Sequence, residues 1–134
     1  MGFLYVARSA RLGKWAWEVG LSKNVFKVGY AEDKPEAAIA AGWAGETDWK
    51  LVKKQPADGL TEDQVIARIA AKERLIDPKL YPKLKGAMGI FKVSTTNAEN
   101  HILIRESLAN RLVPSDFKLT PTDIADYLIH AVIG

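Results

Sequence analysis

The chain has 134 residues, 48% apolar and 26% charged, which is the balance of an ordinary globular protein with room for one buried core. It has no cysteine and only two histidines, His101 and His130, which excludes disulfides, thiolate metal centres and a histidine-rich metal site. The net charge of +3 is mild but unevenly spread: residues 68–92 hold seven basic groups against two acids, residues 1–30 five against one, and the stretch between them is acidic.

In chain order, "GFLYVARS" (2–9) reads as a first strand with Phe3, Leu4, Tyr5 and Val6 as its apolar run. A long insert follows, carrying Trp15 and Trp17. At a spacing of two these share one face if the segment is extended, where they can stack bases, meet a partner or bury against a sheet. "NVFKVGY" (24–30) is a second strand. Asp33, Pro35 and Glu36 resemble a capping box opening an alanine-rich helix that ends at Gly42 or Gly45. "DWKLVKKQPA" (48–57) alternates as a third strand. Thr61 and Gln64 form a second capping box, opening a helix through about residue 76 with Val65, Ile66, Ile69 and Ile76 on its buried face.

Pro78 stops that helix, and "GIFKVS" (89–94) is a short strand. Thr96 and Glu99 then start a helix through about Leu108, and Thr120 with Pro121 caps a terminal one. The expected fold is α+β: a small antiparallel or mixed sheet of three to four strands flanked by helices. Residues 1–109 form the core and 110–134 a helical extension packed on the same domain. No apolar run approaches the roughly 18 residues of a membrane span, so no membrane partner is expected. The N-terminus has its basic residues after the apolar stretch, the reverse of a secretory signal, and Val6 breaks the myristoylation pattern. A cytoplasmic chain is expected.

The usual catalytic signatures are absent, including GxGxxG, GxxxxGK[ST], GxSxG and HExxH. "GFLYVARS" followed by "VFKVGYAED" resembles the two halves of the GIY-YIG nuclease signature, nearest the branch whose second motif reads K-I-G. "GIFKVSTTNAENHI" (89–102) resembles the strand and helix that close that domain. The resemblance covers roughly residues 2–108. It implies that Tyr5 stands where a tyrosine activates the attacking water, that Lys27 takes the second motif tyrosine's place, and that Gly29 is the motif glycine. It also implies a metal-holding glutamate on a later helix: Glu62 first, Glu73 second, with Gln64 in a shifted register. One divalent ion, Mg²⁺, would serve if the chain cleaves. The family's arginine, which stabilises charge on the phosphate, falls near Ala37 or Ala38, in a helix with no arginine.

The resemblance therefore implies a DNA- or RNA-binding domain with weakened or lost phosphodiesterase activity, with Arg8, Lys72, Arg74, Lys83 and Lys85 as phosphate contacts. Each residue also has a plainer role. Tyr5 can be core, Glu62 can favour the helix dipole, Lys27 can face solvent, and the lysines can be a solvated surface. The competing function is a protein-interaction module, self-associating as a homodimer through the apolar terminal helix (Ile124, Leu128, Ile129, Val132, Ile133).

Overall fold

The computed structural model describes residues 2–22, 24–112 and 117–133. Five strands, β1 (Phe3–Arg8), β2 (Val25–Ala31), β3 (Lys50–Pro56), β4 (Arg74–Leu75) and β5 (Ile90–Lys92), form one sheet in the order β3-β1-β2-β5-β4. Every neighbouring pair is antiparallel. Five α-helices accompany them among the described residues: α1 (Ala10–Glu18), α2 (Glu36–Ala41), α3 (Glu62–Ala70), α4 (Thr95–Leu108) and α5 (Pro121–Ile133). The α+β class is as expected, and none of the described helices is long and apolar enough to cross a membrane.

Period-two alternation along the strands divides the interior into two layers. On one face Leu4, Val6, Phe26, Val28 and Phe91 pack against Val65, Ile66 and Ile69 of α3, Ala98 of α4, and Ile124, Leu128, Ile129 and Val132 of α5. On the other face Tyr5, Ala7, Val25 and Ile90 pack against Leu12 and Ala16 of α1, Ile39 of α2, and Trp49, Ile76 and Leu84. The terminal helix is thus a wall of the main core rather than a free surface. The apolar residues expected to mediate self-association are buried within the chain, and only Ile133 among them stays exposed.

Several local expectations change. The Trp-bearing insert is a helix, because Ser9 caps it by accepting from the Leu12 N–H at 3.1 Å. Two residues on a helix point to different sides, so Trp15 and Trp17 do not share a face: Trp15 meets Tyr81 edge-on, whereas Trp17 is exposed. The proposed Asp33–Glu36 box does not form. The Glu36 carboxylate lies 2.6 Å from Lys54 Nζ instead, and the six-residue α2 starts after Pro35 without a side-chain cap.

The Thr61–Gln64 box forms as read. Its helix stops at Ala70, and the chain turns through Lys72 and Glu73, both bonded to the Ile69 carbonyl, into the two-residue β4. That strand makes the sheet five-stranded rather than three- to four-stranded, and it sends Ile76 into the opposite core from Val65, Ile66 and Ile69. α4 starts two residues earlier than read, capped by Ser94 on the Asn97 N–H, while Glu73 takes the Ser94 N–H at 2.6 Å. Thr120 caps α5 as expected, with Asp123 returning the bond.

Candidate functional site

Tyr5, Lys27, Gly29 and Glu62, from β1, β2 and the first turn of α3, meet in one place. Tyr5 and Gly29 are cross-strand partners, so the phenol lies directly over the glycine. A Cβ at Gly29 would stand 2.5 Å from the Tyr5 hydroxyl and 2.7 Å from Glu62 Oε1, so only glycine leaves room for both groups. Glu62 belongs to a helix on the opposite layer, yet it reaches this face because pairing of β2 with β5 ends at Lys27 and Ile90. The Val28 N–H goes to the Gly89 carbonyl at 2.8 Å, and past that point the edge of β2 is left to Glu62.

Lys27 is buried, 2% exposed, where solvent or a phosphate was expected around it. Its ammonium donates to Glu62 Oε1 at 3.0 Å and to the Val28 carbonyl at 3.2 Å, and lies 5.3 Å from the centre of the Trp43 ring. Burial pushes its pKa down, and the Glu62 charge and hydrogen bond push back. Burial, with the Glu62 carboxylate second, pushes the Tyr5 phenol well above its ordinary value. Both effects disfavour the phenolate, the form in which Tyr5 could accept a proton. Trp43 stacks on Tyr5 at 6.0 Å and 18°, and is itself held edge-on by Trp49, whose indole N–H donates to the Trp43 carbonyl at 3.0 Å.

A Mg²⁺ at this place would compete with the Lys27 ammonium for Glu62. Glu62 is one carboxylate, its Oε1 is already taken by an ammonium, and no group of three or more His, Cys, Asp or Glu able to hold a metal occurs among the described residues. Glu73, the second candidate ligand, lies elsewhere. It is buried and accepts from Ser94 N–H at 2.6 Å, Asn97 Nδ2 at 2.8 Å and Tyr127 Oη at 2.5 Å, which ties β4 to α4 and α5. Gln64 is spent in the capping box.

The candidate phosphate contacts do not form one face. Lys85 shares a cavity of about 370 Å³ with Trp43, beside the Tyr5 cluster. Lys83 is 2.6 Å from Glu46 and so largely neutralised. Lys72 sits against α4 with Asn97 and His101, Arg74 is on the edge strand opposite Lys92, and Arg8 lines a cavity at the start of α1. The two histidines pair across α4 and α5 with ring centres 4.8 Å apart.

Three contributors escaped the sequence reading. Gly89 has φ +83°, and a Cβ there would fall 2.6 Å from the Val28 carbonyl and 2.9 Å from Lys27 Nζ, so it makes the space the ammonium fills. Trp43 roofs the cluster; its only sequence signal is an aromatic between Gly42 and Gly45. Lys54 is the cross-strand partner of Tyr5 on β3, and its ammonium reaches Glu36 at the start of α2. No family model, curated protein or solved structure gives a significant match to this chain.

Proposed function

We propose that the chain is a cytoplasmic nucleic-acid-binding domain of GIY-YIG nuclease-like type, acting on DNA or RNA, whose phosphodiesterase chemistry is weakened or lost. The observation that supports this reading is the convergence of Tyr5, Lys27, Gly29 and Glu62, the positions picked out by the motif resemblance, in one cluster drawn from three separate elements. The same cluster argues for binding over cleavage. The Tyr5 phenolate is disfavoured, Lys27 neutralises the carboxylate that a metal would need, and α2 carries Ala37 and Ala38 where the arginine is due. Removing such a charge-stabilising group costs roughly 3–4 kcal/mol of barrier.

The test is binding of labelled DNA and RNA at low and raised salt, with product analysis in Mg²⁺. Binding that falls steeply with salt, without cleavage, supports the reading. No binding at any salt overturns it. Cleavage that survives Glu62→Ala overturns the assignment of the cluster.

The second reading is a protein-interaction module. The observation that favours it is the apolar outer side of α4 and its continuation, where Leu103, Ile104, Leu108 and Leu112 are exposed, Leu112 by 97%. Light scattering across a concentration series tests it, and a monomer at every concentration counts against self-association.

A further inference from the structure

Trp17 is 68% exposed, while the other three tryptophans pack against aromatic partners: Trp15 on Tyr81, Trp43 on Tyr5, and Trp49 on Trp43. Trp17 therefore presents a largely open indole surface. It forms one side of an open cavity of about 340 Å³, lined also by Arg8, Ala10, Gly13 and Lys14. That volume lies in the range of small-ligand sites, about 300–1,000 Å³. The charge state of the two cations is informative. Lys53, Lys54 and Lys83 are each tied to a carboxylate, whereas neither Arg8 nor Lys14 takes part in an ion pair among the described residues. Arg8 is placed by its guanidinium lying 5.8 Å from the Phe26 ring centre.

A second cavity shares Arg8 and Ala10 with the first and continues to Lys50 on β3. Its one acid, Asp48, is held by the Ser9 hydroxyl and the Arg11 N–H. The arrangement is therefore an aromatic plate beside Arg8, Lys14 and Lys50, none in an ion pair among the described residues, with the Asp48 carboxylate bonded to the start of α1.

We propose that Trp17, Arg8 and Lys14 form a subsite for one unpaired nucleotide of a single-stranded nucleic acid, the base stacked on the indole and the adjoining phosphates on the two cations, with Lys50 next along the strand. Stacking needs an exposed base face, which a duplex covers and a single strand presents. The subsite deepens the nucleic-acid reading by naming the strand form it takes, and it rests on that reading.

The test compares the chain with Trp17→Ala, Trp17→Phe and the Arg8→Ala/Lys14→Ala pair, using a labelled oligothymidylate and a labelled duplex of the same length. Circular dichroism verifies that each variant is folded. Trp17→Ala should weaken single-strand binding about 5- to 150-fold, the range for loss of one base–aromatic stack, with the salt slope unchanged. Trp17→Phe should retain most of the affinity. The double cation variant should lower the single-strand salt slope by about 1.4. Single-strand binding by Trp17→Ala equal to the parent overturns the subsite. Duplex binding without single-strand binding overturns the subsite and leaves the nucleic-acid reading standing. Binding of neither probe, nor of a labelled single-stranded RNA, overturns both.

Discussion

The Lys27 ammonium and the Glu62 carboxylate stand 3.0 Å apart but share the solvent unequally, since Lys27 is 2% exposed and Glu62 47%. The lysine bears nearly all of the desolvation, which lowers its pKa, and the glutamate opposes that shift. Removing Glu62 should therefore harm the fold more than removing Lys27. We expect Glu62→Ala to lose about 1 kcal/mol, the low end for stranding a buried charged donor because water reaches the carboxylate side. Lys27→Met, which replaces the buried charge with a hydrophobe of similar length, should be neutral or stabilising. Urea unfolding of both variants measures this, and a Lys27→Met variant weaker than Glu62→Ala would show that the amine is held for stability.

Gly29→Ala should destabilise by about 1–3 kcal/mol, because its Cβ falls on the Tyr5 hydroxyl and Glu62 Oε1 and forces them apart. Gly89→Ala adds a strained positive φ to a clash with the Val28 backbone, so its cost should be at least as large. The informative control is Gly29→Ala in a Glu62→Ala background. If the clash is the cause, the double variant recovers part of the loss; strict additivity of the two costs would count against it.

Glu73→Ala should cost about 3 kcal/mol, since it strands the Ser94 N–H, the Asn97 amide and the Tyr127 hydroxyl together. The same variant should leave nucleic-acid affinity unchanged under conditions where it stays folded. A large loss of affinity with little loss of melting temperature would place Glu73 in the binding machinery instead.

The pH dependence near neutrality should come from His101. Burial lowers its pKa first, then the His130, Arg105 and Lys72 charges, while Asp126, bonded to Lys53, opposes them. A depressed value in the fold means that the unfolded chain takes up the proton first. Stability is then complete above the ordinary histidine pKa of about 6.5 and is lost as pH falls below it. Denaturant unfolding between neutral and mildly acidic pH should show this loss, and His101→Asn should flatten it. An unchanged slope in the variant removes His101 as the cause.

The parts of this architecture that rest on local rules could be read before any coordinates. Thr61 and Gln64 form a capping box from four adjacent residues, and Thr120 with Pro121 starts α5 in the same way. The parts misread were decided at long range. Glu36 looked like the end of a capping box until Lys54, eighteen residues away, took its carboxylate. Residues 74–75 looked like the end of a helix, but a pairing with β5 makes them a strand. The cluster was legible residue by residue, through Tyr5, Lys27, Gly29 and Glu62. Its chemical state was not, because the burial of Lys27 depends on Gly89 and Trp43 closing over it from distant parts of the chain.

The placement of α5 has a consequence for how the molecule is assembled. It supplies six of the sixteen buried residues of one core, Ile124, Ala125, Tyr127, Leu128, Ile129 and Val132, packed on partners as distant as Leu4. The opposite core, by contrast, draws only on residues between Tyr5 and Ile90. A nascent chain that has reached β5 already holds every buried residue of the Tyr5 layer. The other side of the sheet has α3 over β2 but must wait for α5, with Leu4 and Val6 of β1 incompletely covered in the interval. Closing that side is a contact of high sequence separation and should be the slow step. Truncation before Pro121 should leave a chain with one finished layer and one adhesive one.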